Sequence, residues 1–110
     1  TRVTGYIRAH YAEPELSLAS VADALGLSQS YVSRVCNRAL GMTIPDYIHT
    51  CRIERAKALL TGTDMSVLDI SAAVGYTTAW TMNRAFKRYE GVTPGVYRQS
   101  AAEKAKEAAG

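Results

Sequence analysis

Residues 17–47, SLASVADALGLSQSYVSRVCNRALGMTIPDY, and residues 66–97, SVLDISAAVGYTTAWTMNRAFKRYEGVTPGVY, are two versions of one pattern. At a shift of 49 positions Ser17 falls on Ser66, Val21 on Ile70, Leu25 on Val74 and Gly26 on Gly75. After one inserted residue the shift becomes 50. Ser33 then falls on Asn83, Arg34 on Arg84, Arg38 on Arg88, Gly41 on Gly91, Thr43 on Thr93 and Tyr47 on Tyr97. Each version reads as a short helix, a tight glycine turn and a second helix with a polar outer stripe, which is the helix-turn-helix layout. Helical-repeat scaffolds also repeat helix pairs, but they need about three units, and residues 45–60 between the copies fall outside the repeat.

Helical periodicity covers the rest of the chain, and no stretch alternates like a strand. Val3, Tyr6, Ile7, His10 and Tyr11 form one stripe that stops before Pro14. Ser17 caps a second helix with Leu18, Val21, Ala22 and Leu25 inside, closed by Gly26. Ser28 caps a third with Val32, Val35, Cys36, Ala39 and Leu40 inside, ended by Gly41. Thr43 and Pro45 start a long helix over about 45–61, with Ile48, Ala56, Leu59 and Leu60 as its apolar positions. A fifth from Ser66 buries Val67, Ile70, Ala73 and Val74. A sixth from Thr77 or Thr78 buries Met82, Ala85, Phe86 and Tyr89. Thr93-Pro94 opens a short last helix through Val96, Tyr97 and Arg98. The expected fold is all-α: seven short helices, with subdomain one at about 3–44, a linker helix, and subdomain two at about 66–98. Residues 99–110 read as a frayed helix or an added tail.

The chain has 110 residues, enough for one domain of ordinary size. At 47% hydrophobic and 21% charged it can bury a core and is not a disordered tail. Its net charge of +3 understates the charge pattern. No acid lies between Ala24 and Pro45, nor between Ile70 and Tyr89, and these windows hold Arg34, Arg38, Arg84, Lys87 and Arg88. A solvated surface without a partner mixes signs. A surface that meets a duplex carries cations, whose contacts release counterions.

The outer stripe of the third helix is Gln29, Ser30, Ser33, Arg34, Asn37 and Arg38, and that of the sixth is Ala79, Trp80, Asn83, Arg84, Lys87 and Arg88. Arginine forks onto guanine O6 and N7, asparagine and glutamine pair with adenine, and serine suits either role. Trp80, the only tryptophan, stands where the first copy has Ser30. It either meets thymine methyls or sugar, or folds back onto the body near Tyr76.

Catalysis finds little support. His10, His49, Cys36 and Cys51 are the only candidates for nucleophile or ligand chemistry. His49 and Cys51, two apart on a helix, share no face. The cysteines, 15 residues apart, lack zinc spacing and read as small buried hydrophobes. No phosphate loop or carboxylate pair is present, so no enzyme activity, cofactor or metal is expected. A protein-interaction bundle would bind duplex DNA no better than another polyanion, and RNA binding lacks a readable aromatic platform. No apolar run approaches the roughly 18 residues that span a bilayer. No leader is visible, so no membrane association and a cytoplasmic location are expected. The start at Thr1 reads as a piece of a longer protein.

Residues from about Val3 to Arg98 resemble the DNA-binding domain of AraC/XylS-type bacterial transcription regulators. The first copy and the linking RIERAKALL follow the family pattern. The second matches most closely through GY (75–76), R-x-F-K (84–87) and G-x-T-P-x-x-Y-R (91–98). The opening YIRAHYAEPELSL is similar to response-regulator output domains. The resemblance implies two helix-turn-helix subdomains joined by a long helix, reading successive major grooves roughly 34 Å apart. It implies base contacts from Gln29, Ser30, Ser33, Arg34, Trp80, Asn83 and Arg84. Backbone contacts would come from Ser17, Ser28, Asn37, Arg38, Ser66, Thr77, Thr78, Lys87 and Arg88. It also implies an activator role, double-stranded DNA and RNA polymerase as partners, and an upstream sensor or receiver domain. Cys36 stands where the family usually has an aromatic, and Met82 where phenylalanine is common. Both departures suggest looser packing or an adjusted helix tilt.

Overall fold

The computed structural model describes residues 1–109, and these form seven helices and no strand. They are α1 (Arg2–His10), α2 (Leu18–Leu25), α3 (Gln29–Leu40), α4 (Ile44–Gly62), α5 (Val67–Val74), α6 (Ala79–Glu90) and α7 (Pro94–Ala109). The all-α architecture agrees with the sequence reading. The chain divides into two units, Thr1–Arg52 and Ile53–Gly110, so α4 contributes its first half to one and its second half to the other.

Local chemistry sets where the helices start and stop. Ser17 accepts the amide of Ser20, and the Ser20 hydroxyl takes the Ser17 amide in return, a reciprocal cap. Ser28, Ser66 and Thr78 accept the amides of Tyr31, Asp69 and Thr81. Both short helices end on a glycine in the left-handed region, Gly26 at φ 66° and Gly75 at φ 110°, where a side chain would be strained. The following amides, of Leu27 and Tyr76, reach back to the carbonyls of Ala22 and Ser71, each at 2.9 Å. The extra residue of the second copy is therefore Thr77, between this closing bond and the Thr78 cap.

In the first unit Val3, Ile7, Val21, Val32, Cys36, Ile44, Tyr47 and Ile48 make one core. In the second Ile53, Ala56, Leu60, Ile70, Val74, Tyr76, Met82 and Phe86 make another. Cys36 and Met82, the two departures from the family pattern, are both fully buried. Phe86 occupies in the second copy the place of Cys36, and its ring meets Tyr97 edge-on, with centroids 5.5 Å apart.

Each unit is also tied by an arginine. Arg52, 6% exposed, donates from Nε to the Tyr11 carbonyl at 2.7 Å and from Nη2 to that of Glu13 at 2.9 Å. Arg98 does the same to Leu60 at 2.9 Å and Thr63 at 3.2 Å. Tyr11 and Leu60 stand 49 apart, and Glu13 and Thr63 stand 50 apart, the offsets of the repeat itself, whereas the donors Arg52 and Arg98 stand 46 apart, one helical turn short of it. Arg8 and Lys57, also 49 apart, approach the equivalent tyrosines. The Arg8 Nε donates to the Tyr47 hydroxyl at 2.8 Å, and the Lys57 ammonium lies 5.9 Å from the Tyr97 ring centre.

These pairings correct the expectation that residues 45–60 stand outside the repeat. The repeating unit has four helices, and α4 serves as the last helix of the first copy and the first helix of the second. The sequence pattern hides this because the apolar residues of α4 change stripe between Ile48 and Ile53, as each half faces a different core. Two smaller corrections concern Ala39 and Ala73, expected inside and in fact exposed. Alanine buries too little surface to hold a helix in one rotation, and Ser71, bonded to the Leu68 carbonyl, is buried in place of Ala73. The last helix is not short: α7 continues to Ala109, because its Ala/Lys/Glu sequence has high intrinsic helix propensity.

Candidate nucleic-acid interface

The outer stripes lie where the sequence placed them. On α3, Gln29, Ser30, Arg34, Asn37 and Arg38 are exposed and Ser33 is half-buried. A shallow open groove along this helix is lined by Ser33, Arg34, Asn37 and Arg38. Its other flank holds a cleft bordered by Arg2, Tyr31, Arg34 and Val35, with Tyr31 44% exposed. Arg2 and Tyr31 were not singled out from the sequence. Nothing in the periodicity says that the start of α1 borders α3.

On α6, Trp80, Arg84, Lys87 and Arg88 are exposed and Asn83 is half-buried. Trp80 is 66% exposed, so it does not fold back over Tyr76. The Arg84 guanidinium instead stacks on it, 4.8 Å from the ring centre. The Asn83 Nδ2 donates to the Ala79 carbonyl at 2.8 Å, which commits one amide proton within the helix. Glu90, the first acid after this stripe in the sequence, is ion-paired with Lys57 at 3.1 Å. Glu90 and Glu54 together hold the Lys57 ammonium above its ordinary value. That pairing leaves Arg84, Lys87 and Arg88 without an opposing charge in the acid-free window.

The cap positions behave differently from the stripe. Ser17, Ser28, Ser66 and Thr78 each spend the side-chain oxygen on their own helix. Any anion here would meet the amides that precede the first i→i−4 bond, such as those of Gln29 and Ser30 or of Ala79 and Trp80. Thr77 is exposed but caps nothing, because the helix starts one residue later.

Burial pushes the thiols of Cys36 and Cys51 above their ordinary value and so disfavours the reactive thiolate. His10 pairs with Glu13 and stacks on Tyr6. Among the described residues no three His, Cys, Asp or Glu side chains gather into a metal-binding group, and no helix is long and apolar enough to cross a membrane.

Residues 21–100 match a family model described as a helix-turn-helix domain. An uncharacterised helix-turn-helix-type transcriptional regulator of Bacillus subtilis, YtdP, is 37% identical over 90 residues, which are 82% of this chain and 12% of that protein. The chain thus spans about an eighth of the length of the curated relatives it matches. Among solved structures, the C-terminal domain of AraT, a response regulator from Geobacillus stearothermophilus, superposes with a TM-score of 0.87 at 35% identity, covering 90% of this chain and 82% of that one. A transcriptional regulator of the AraC-type DNA-binding class from Chromobacterium violaceum superposes with a TM-score of 0.80 at 26% identity, covering 92% and 89%.

Proposed function

The chain belongs to the AraC-type helix-turn-helix family of transcription regulators, and from that membership we propose that it binds duplex DNA sequence-specifically as the output module of a longer bacterial regulator. The observation that carries this reading is the repetition of an acid-free, cationic outer stripe on α3 and α6, the second helix of each helix-turn-helix pair. In the proposal these two helices enter successive major grooves. Gln29, Ser30, Ser33 and Arg34 reach base edges in one, and Trp80, Asn83 and Arg84 in the other. Asn37, Arg38, Lys87 and Arg88, with the helix starts at Ser17, Ser28, Ser66 and Thr78 and the adjoining Thr77, hold the phosphates. The module acts in the cytoplasm as an activator that contacts RNA polymerase, under control of a sensor or receiver domain elsewhere in the protein. The likeness to a response-regulator C-terminal domain favours a receiver.

Fluorescence anisotropy on a duplex recovered by selection and on its scrambled counterpart, at two salt concentrations, tests the reading. The recovered duplex should bind more tightly at both. Equal affinity for the two across several recovered sites would sink it.

The two kinds of contact separate by mutation. Arg34→Ala and Arg84→Ala should each weaken binding by about 1–3 kcal/mol and relax preference at one base pair. Lys87→Ala should weaken all sequences alike and lower the slope of log affinity against log salt by about one. An Arg84→Ala variant that behaved like Lys87→Ala would move Arg84 from the base edge to the phosphate.

A further inference from the structure

The two stripes differ in how their arginines are held. One turn before Arg84 stands Trp80, and the guanidinium lies 4.8 Å from its ring centre, within cation–π range. One turn before Arg34 stands Ser30, which has no ring to offer. Trp80 is 66% exposed, so burying its own surface is not what places the indole there. Arg84 is exposed as well, and an exposed arginine samples many rotamers that must be given up when it forks onto a base. Stacking removes much of that freedom beforehand, while the N–H edge of the planar guanidinium stays open to acceptors. Asn83, between them, is held in the same way by its bond to the Ala79 carbonyl.

We propose that Trp80 is a positioning residue, whose indole face holds the Arg84 guanidinium ready to read a guanine, so that α6 discriminates from a preorganised arginine while α3 carries serine at the position of Trp80. This rests on the duplex-reading role proposed above. It adds that the two copies divide the work, with sharper base discrimination in the half-site under α6.

Selection from a random duplex library, run in parallel with the wild-type chain, Trp80→Phe, Trp80→Leu, Arg84→Ala and the Trp80→Leu/Arg84→Ala double variant, tests it. Arg84→Ala identifies the base pair that Arg84 reads by flattening preference there. At that same pair Trp80→Leu, which keeps bulk but loses the ring, should lower discrimination about two- to fivefold. Trp80→Phe, which keeps a ring face, should retain most of it, and the double variant should match Arg84→Ala alone. If Trp80→Leu flattens only a neighbouring pair, the indole acts through its own base contact alone and does not position Arg84, and the proposal falls. It falls too if Trp80→Leu leaves every pair unchanged, or if Phe and Leu act alike. A wild-type chain that recovers no motif overturns the duplex-reading role itself, and this inference with it. Because both side chains are exposed, the variants leave the core of the second unit untouched.

Discussion

Replacing Phe86 with alanine should remove about 3–5 kcal/mol of folding free energy, read from the urea midpoint and slope of the unfolding transition. The ring is the largest of the fully buried side chains and lies in the second core. It packs edge-on against Tyr97 and shares that core with Met82, Ile70 and Val74. Truncation leaves a void that these neighbours cannot fill without leaving their own rotamers. The repeat supplies an internal control. Cys36 holds the same place in the first copy, and Cys36→Ala removes a single sulfur, so it should lower stability by only about 1 kcal/mol. A Phe86→Ala loss near that smaller figure would mean that the second core collapses into the gap.

Arg52→Ala should destabilise the protein by about 3 kcal/mol, although arginine at a helix surface normally contributes little. Here the guanidinium is buried and is spent on backbone carbonyls past the end of α1, at Tyr11 and Glu13. Each hydrogen bond from a charged donor is worth about 1.5–3 kcal/mol, and truncation also takes this donor from the Tyr11 carbonyl, while that of Glu13 keeps the Leu16 amide. Arg52→Lys should recover less than half, because an ammonium is a point charge and cannot fork to two acceptors. Differential hydrogen exchange would show where the effect falls, with faster exchange expected in α1. Lysine restoring full stability would mean that charge alone, not the fork, makes the tie.

Capping chemistry was legible from the sequence because it is local. Ser17, Ser28, Ser66, Gly26 and Gly75 each act within a few residues of themselves, so their identities name the helix ends. The stripes on α3 and α6 were legible for a related reason, since the first unit's apolar positions at Val32 and Cys36 and the second's at Met82 and Phe86 leave the opposite face as the only outer one. The arginine ties were not. In sequence Arg52 and Arg98 look like any helix-surface cation, and only the fold brings them to carbonyls about 40 residues earlier in the chain. The resting place of Trp80 was equally open, because an indole satisfies a core and a stacked guanidinium about as well. What settled it was Arg84 one turn later.

The double service of α4 makes the molecule an overlapping series, in which each module hands its final helix on as the opening helix of the next. At the offset of 50, α7 stands where α4 stood, and its length would allow it to open a third module. Its residues refuse. Glu103 falls on buried Ile53 and Lys106 on buried Ala56, so the face that would seed another core is charged and exposed. Side-chain polarity thus keeps α7 from opening a core as α4 does, although its backbone is the same helix.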